Sequence, residues 1–162
     1  MRLGLDIDGV ICDFTGGVFR AAGVPLTRYA DIQGYDYTPV LNFREIWERI
    51  KGDELFWLGL APVETHIPHC CGVYLTSRDC SDAVTRQWLH VHGFPKLPII
   101  NTRDKARAIE VQELDGLVDD CAAHFLAAEK VASCNFLVSR PWNREVVTPR
   151  RIYRLEELEW RA

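Results

Sequence analysis

Short apolar, β-rich runs recur along the chain at Leu3 to Ile7, Gly72 to Thr76, Leu97 to Ile100, Gly116 to Val118 and Asn135 to Val138, with helical patterns between most of them. That alternation predicts an α/β fold built on a doubly wound parallel sheet. Ser81-Asp82 opens a helical segment over Ala83 to His92, and Gly93 followed by Pro95 closes it. Thr102 to Glu113 and Cys121 to Ala132 read as the next two helices. The stretch from about Thr15 to His69 breaks this rhythm. Its strongest pattern is helical, with Phe43, Ile46, Trp47 and Ile50 at i, i+3, i+4 and i+7, and Asn42 with Glu45 supplies a capping-box-like start. An interruption after the first strand predicts a small helical cap, residues 15–69, inserted into a core made of residues 1–14 and 70–162. The insert is rich in aromatic residues, among them Tyr29, Tyr35, Tyr37, Phe43, Trp47, Phe56 and Trp57.

Ligands of open α/β sheets bind outside the carboxyl ends of the strands, where the strand order reverses. The polar residues at those ends are therefore candidates: Asp6 and Asp8 after the first strand, Thr76, Ser77 and Arg78 after the second, Asp119 and Asp120 after the fourth. Carboxylates at i and i+2 project to the same side of an extended chain, and Gly9 lets the backbone turn behind them. Acids held so close repel unless a cation sits between them. Magnesium suits such a place, since it takes one or two protein carboxylates and leaves room for a substrate phosphate. Asp6, Asp8, Asp119 and Asp120 are the candidate metal ligands. Lys105 falls in the first turn of a predicted helix, where the macrodipole disfavours a cation. An anion, or Asp6, is the partner that would explain it. Thr76 and Ser77 offer hydroxyls and backbone N–H groups to phosphate oxygens.

At 162 residues the chain can bury one core and carry a small insert. A net charge of −4 and a pI near 5.7 exclude an ordinary duplex-binding protein, so no polymeric nucleic acid is expected as a partner. No apolar run reaches membrane-spanning length and the first strand follows Met1 directly, which gives the expectation of a cytoplasmic protein with no membrane partner. The six cysteines are expected as reduced thiols, and the spacing of His66, His69, Cys70, Cys71 and Cys80 matches no common zinc pattern. Gly9 also comes too early for a calcium loop. The Phe43 to Ile50 stripe is first of all a packing stripe.

In the order Asp6-x-Asp8-Gly9-Val10, Thr76, Lys105, Asp119-Asp120, these residues resemble the four motifs of the haloacid dehalogenase superfamily of phosphohydrolases, over nearly the whole chain. The 5′(3′)-deoxyribonucleotidase family is a closer resemblance. There the run from Asp6 to Phe14, the Phe56-Trp57 pair, the Lys105 to Asp120 spacing and Pro141-Trp142-Asn143 all have counterparts. The resemblance implies a Rossmann-like core and magnesium-dependent dephosphorylation of (deoxy)ribonucleoside monophosphates. It makes Asp6 a nucleophile that becomes an aspartyl-phosphate and Asp8 the acid that protonates the leaving alcohol and then deprotonates water. Thr76 would hold the phosphoryl group, Lys105 would neutralise its charge and that of Asp6, and Asp119 would bind magnesium. Asp120 would act through water or by orienting Lys105. The family's cap holds a nucleobase among aromatics, for which Phe56, Trp57 and Trp47, with Phe14 near the hinge, are the candidates here. Arg78 departs from the pattern of the closest relatives, and it could grip a second substrate anion. The alternatives are a phosphatase for another small ester, such as a sugar phosphate or a nucleic-acid 3′-phosphate end, and a phosphorylatable receiver-like signalling module. A receiver carries its extra acidic pair on the first strand and its phosphoacceptor in mid-chain, and has no aromatic insert. The family often forms homodimers, although no heptad or self-complementary patch supports one independently.

Overall fold

The computed structural model describes residues 1–161. Among these, six strands run parallel in one sheet: β1 (Leu3–Leu5), β2 (Cys71–Thr76), β3 (Ile99–Asn101), β4 (Gly116–Asp119), β5 (Phe136–Val138) and β6 (Arg151–Ile152), in the order β3-β2-β1-β4-β5-β6. The chain winds outward from β1 to β3, then crosses back to β4 on the other side of β1. The order therefore reverses between β1 and β4, whose carboxyl ends deliver Asp6 and Asp119. Leu3 to Leu5 pair with Cys71 to Tyr74 on one side and with Gly116 to Val118 on the other. Leu3, Leu5, Tyr74, Leu117 and Val118 are wholly buried, as a parallel sheet covered on both faces requires.

The helices are α1 (Phe14–Ala22), α2 (Phe43–Ile50), α3 (Glu54–Leu58), α4 (Asp82–Val91), α5 (Lys105–Val111) and α6 (Ala122–Ala128). Five of them begin at a polar side chain that accepts a backbone N–H of the first turn: Asp13, Asn42, Asp53, Ser81 and Asp104. One apolar cluster joins Leu3, Leu5 and Tyr74 to Val84 and Trp88 of α4, and another packs Val73, Leu75 and Leu117 against Ile109 and Ala128. The segment between β1 and β2 gathers a third around Val18, Phe19, Ile32, Ile46 and Ile50, which Trp142 joins from beyond β5. No helix among the described residues is long and apolar enough to cross a membrane.

The Asn42 start and the Phe43–Ile50 stripe are where the apolar spacing predicts them. Several boundaries differ, three of them near the site or by more than two residues. The first strand ends at Leu5 rather than Ile7, because the Ile7 carbonyl turns to accept the N–H groups of Ile11 and Cys12. The helix expected from Thr102 starts at Lys105, since Asp104 accepts the Arg107 N–H and sets the cap. The helix expected over Cys121 to Ala132 spans only Ala122–Ala128.

Two glycines at positive φ separate backbone strain from crowding. Gly23, at φ 68°, ends α1 with nothing within 4 Å of where a Cβ would stand. Gly9, at φ 78°, would place a Cβ 1.9 Å from Asp120 Oδ2. Gly23→Ala is expected to cost about 1–2 kcal/mol, the left-handed penalty alone. Gly9→Ala is expected to cost clearly more, because the Asp120 carboxylate must also move. Denaturant midpoints of the two variants check this, and equal losses would contradict the close packing of Gly9 on Asp120.

Candidate active site

Burying carboxylates is tolerable only with compensating partners, and the end of the sheet supplies one ammonium for three of them. Lys105, almost fully buried at the first position of α5, reaches Asp6 Oδ1 at 2.8 Å and Asp119 Oδ2 at 2.7 Å. Burial alone would lower the Lys105 pKa, but Asp119 and Asp6 hold it above the ordinary lysine range. Asp6 Oδ1 also accepts the Ile7 N–H. Its pKa is pushed up to about 7 by burial, which the Lys105 charge only partly offsets. Burial presses Asp119 the same way, yet Lys105 and the bond to His124 outweigh it and leave Asp119 below its ordinary value. Asp119 Oδ1 accepts the Cys121 N–H at 2.7 Å.

Asp120 has no cation against it. Its Oδ2 accepts the Trp142 Nε1–H at 2.9 Å and the Tyr35 hydroxyl, while its Oδ1 is buried with no partner. Burial and the neighbouring charges of Asp119 and Asp6 push its pKa up to about 8. One oxygen each of Asp6, Asp119 and Asp120 falls within 4.8 Å of the others, close enough to share a metal ion. Thr76, at the end of β2, is buried and its hydroxyl has no partner.

Asp8 departs from the expectation that its side chain joins the metal ligands. Arg78 Nε lies 3.0 Å from both Asp8 carboxylate oxygens and Nη2 lies 2.8 Å from Oδ1, a two-pronged clasp outside the acidic group. The physical reason is that the Arg78 side chain is wholly buried and needs a counter-charge. Its guanidinium carbon sits 5.6 Å from the Trp57 ring and 4.9 Å from the Trp88 ring, and Asn101 Nδ2 donates to its carbonyl oxygen. Arg78 is paired with Asp8 in this structure, and its Nη1 is buried with no hydrogen-bond partner among the described residues.

Asp6, Asp8 and Arg78 border a cavity of about 480 Å³, within the usual range for small-molecule sites. Asp6, Asp8, Ser77 and Arg78 form its polar end, and Phe14, Tyr35, Phe43, Trp47, Trp57 and Trp142 form apolar walls. Phe14 stacks on Trp57 at 5.7 Å between ring centres, and Phe43 stacks on Trp47 at the same distance. Phe14, Trp47 and Trp57 thus line the cavity. Phe56 does not: it stands edge-on to Phe14 and Trp57, at 6.2 and 5.4 Å, and is not among the residues that line this cavity. Adjacent helical positions point about 100° apart, and here only Trp57 turns inward. A second groove, of about 590 Å³, continues past Trp57, Ser77 and Arg78 towards Lys51 and Arg103.

Sequence reasoning missed Tyr35, Phe43, Trp142, Cys121 and His124 on the cavity wall. Tyr35 meets Asp120 across 85 positions, a contact with no spacing signal. His124 could have been found, since it lies within the first turn of the helix after Asp119. Its Nδ1 is 3.3 Å from Asp119 Oδ2. That bond and a second one to Cys121 raise its pKa to about 10.

No family model matches the chain and no curated protein sequence does. Among solved structures it is similar to the crystal structure of an L-2-haloacid dehalogenase, with a TM-score of 0.64 and 13% identity over 99% of each chain. The likeness shows the fold: a Rossmann-like sheet of the haloacid dehalogenase type, flanked by helices on both sides.

The acid cluster fixes how metal-free stability varies with pH. Asp6 and Asp120 have pKa values raised from 3.8 to about 7 and about 8, so the folded chain holds protons there that the unfolded chain has released. Their stabilising contribution is complete below about pH 4 and is lost as pH rises towards 8. His124, raised from 6.5 to about 10, adds a loss in the same direction at higher pH. In EDTA the melting temperature is expected to fall between pH 5 and 8, and magnesium to restore most at pH 8, where ionised acids favour a cation. Thermal melts with and without magnesium check this. A melting temperature that rises over that range in EDTA would contradict the assignment.

Proposed function

We propose that this chain is a metal-dependent phosphomonoester hydrolase acting on nucleoside monophosphates, deoxyribonucleotides above all, through covalent attack by Asp6. One observation carries the reading: Lys105 holds a nucleophile-bearing strand end and a second acid together beneath an aromatic-walled cavity, beside a buried threonine hydroxyl with no partner. The residues fit a divalent cation. Three acids share one lysine, and Asp120 Oδ1 is buried and unpartnered, which is the oxygen-rich, under-compensated donor set that magnesium takes. Asp6, Asp119 and Asp120 would hold it. When bound, such a cation neutralises phosphoryl oxygens and orients the ester.

The chain's own groups then divide the work. Both polar contacts of the Asp6 carboxylate fall on Oδ1, which leaves Oδ2 to attack phosphorus. Attack forms an Asp6 Oδ2–P bond and breaks the P–O bond to the alcohol. Lys105 favours the ionised form of Asp6, which a bound cation would complete, and the Thr76 hydroxyl donates to a phosphoryl oxygen. Once the Arg78 clasp loosens, Asp8 takes up a proton from solvent and passes it to the leaving alcohol. It then accepts a proton from the water that cleaves the aspartyl-phosphate and regenerates Asp6. The rings of Phe14, Trp47 and Trp57 take the base, for which stacking is worth about 1–3 kcal/mol.

The test is phosphate release from a panel of ribo- and deoxyribonucleoside monophosphates and sugar phosphates, with magnesium or with EDTA. Magnesium-dependent release favouring deoxyribonucleotides is expected, abolished in Asp6→Asn and lowered about 10²–10⁴-fold in Asp8→Asn. Full activity of Asp6→Asn would overturn the mechanism, and release from sugar phosphates alone would overturn the base site. Halide release from a 2-haloacid, without phosphate release, would replace the reading with the activity named for the structural neighbour.

A further inference from the structure

Asp119 belongs to a second cluster that the hydrolytic reading does not use. An oxygen of Asp119, the sulfur of Cys121 and a ring nitrogen of His124 lie within 4.8 Å of one another, and Cys121 and His124 both border the cavity. The separation between His124 Nδ1 and Asp119 Oδ2, 3.3 Å, is long for a charge-assisted hydrogen bond, which ordinarily spans about 2.7–2.9 Å. It matches the edge of about 3.4 Å that a nitrogen and an oxygen share on one tetrahedral zinc ion. Cys121 stands at the start of α6, where serine, threonine, aspartate or asparagine would cap the helix, yet its side chain makes no cap bond. Its thiol is instead engaged by the His124 side chain, which sets the two groups side by side.

We propose that Asp119, Cys121 and His124 form a binding site for a borderline-soft divalent cation, zinc being its representative, with the fourth position open to the cavity. A carboxylate, a thiolate and an imidazole are a donor set that selects zinc over magnesium, whereas the all-oxygen group of Asp6, Asp119 and Asp120 selects the reverse. The two groups share Asp119, and Lys105 already holds its Oδ2 at 2.7 Å. Zinc in this site takes that carboxylate from Lys105, so it and a magnesium ion in the oxygen site weaken each other's binding.

Cobalt(II) serves as the spectroscopic probe. Metal-free protein titrated with cobalt is expected to show a thiolate-to-metal charge-transfer band saturating at one ion per chain, and zinc to remove it by displacement. Cys121→Ser and Cys121→Ala are expected to lose the band while keeping the far-ultraviolet dichroism of the parent. His124→Gln is expected to weaken zinc binding about 10–100-fold or more, the range seen when only an outer partner of a ligand is lost. A parent protein without the band, or a band that survives at full strength in both Cys121 variants because other cysteines hold the metal, would overturn the proposal. Unchanged zinc affinity in His124→Gln would do the same.

Discussion

One buried ammonium ties the two halves of the sheet together at the point where its strand order reverses. Lys105 bonds Asp6 at the end of β1 and Asp119 at the end of β4, and it is itself delivered from α5, which follows β3. Removing either charge from such a pair leaves the other uncompensated in a poorly solvated place, which is far costlier than the pair is favourable. The position of Lys105 at the helix start, otherwise a poor one for a cation, follows from this reach. Everything else at the site is arranged around a remaining excess of negative charge. Asp120 is met by neutral donors, Tyr35 and Trp142, rather than by a second lysine. That choice leaves the three-acid group short of positive charge and suited to a cation.

The aromatic segment between β1 and β2 is joined to this chemistry by a few polar contacts rather than by packing alone. Tyr35 bonds Asp120, and the Gly34 N–H donates to the Trp142 carbonyl oxygen at 3.0 Å. On the other side Arg78 lies between the rings of Trp57 and Trp88 while it clasps Asp8. Trp57 therefore has two roles, walling the cavity and covering a buried guanidinium. Asp8 is positioned by Arg78 in the same way that Asp6 is positioned by Lys105, each acid by a cation from the strand end or helix nearest to it. The two acids after the first strand thus meet separate cations, as the proposed division into nucleophile and proton carrier requires.

The parallel sheet was legible because its central strands are buried and read as continuous apolar runs; the strand ends then named Asp6, Thr76 and Asp119, and the start of the helix after the third strand named Lys105. Elements with weaker periodicity were not. β6 is two residues long and begins with Arg151, and α1 contains Gly16-Gly17, which depresses any helical signal. Side-chain direction also escaped the sequence. Phe56 and Trp57 are adjacent, and only the fold decides that Trp57 faces the cavity. The pairing of Arg78 with Asp8 joins positions 70 apart and depends on burial that no local pattern records. Tyr35 and Trp142 belong to the same class, since one reaches Asp120 from a turn and the other from a three-residue 3-10 helix.

The most direct measurement is rapid acid quenching during turnover of a deoxyribonucleoside monophosphate with magnesium, followed by peptide mass spectrometry. One phosphoryl group on Asp6, rising and decaying with turnover and absent without magnesium, is the expected result. Phosphate release with no label on Asp6, or with the label on another residue, would contradict the role given to the carboxylate that Lys105 holds.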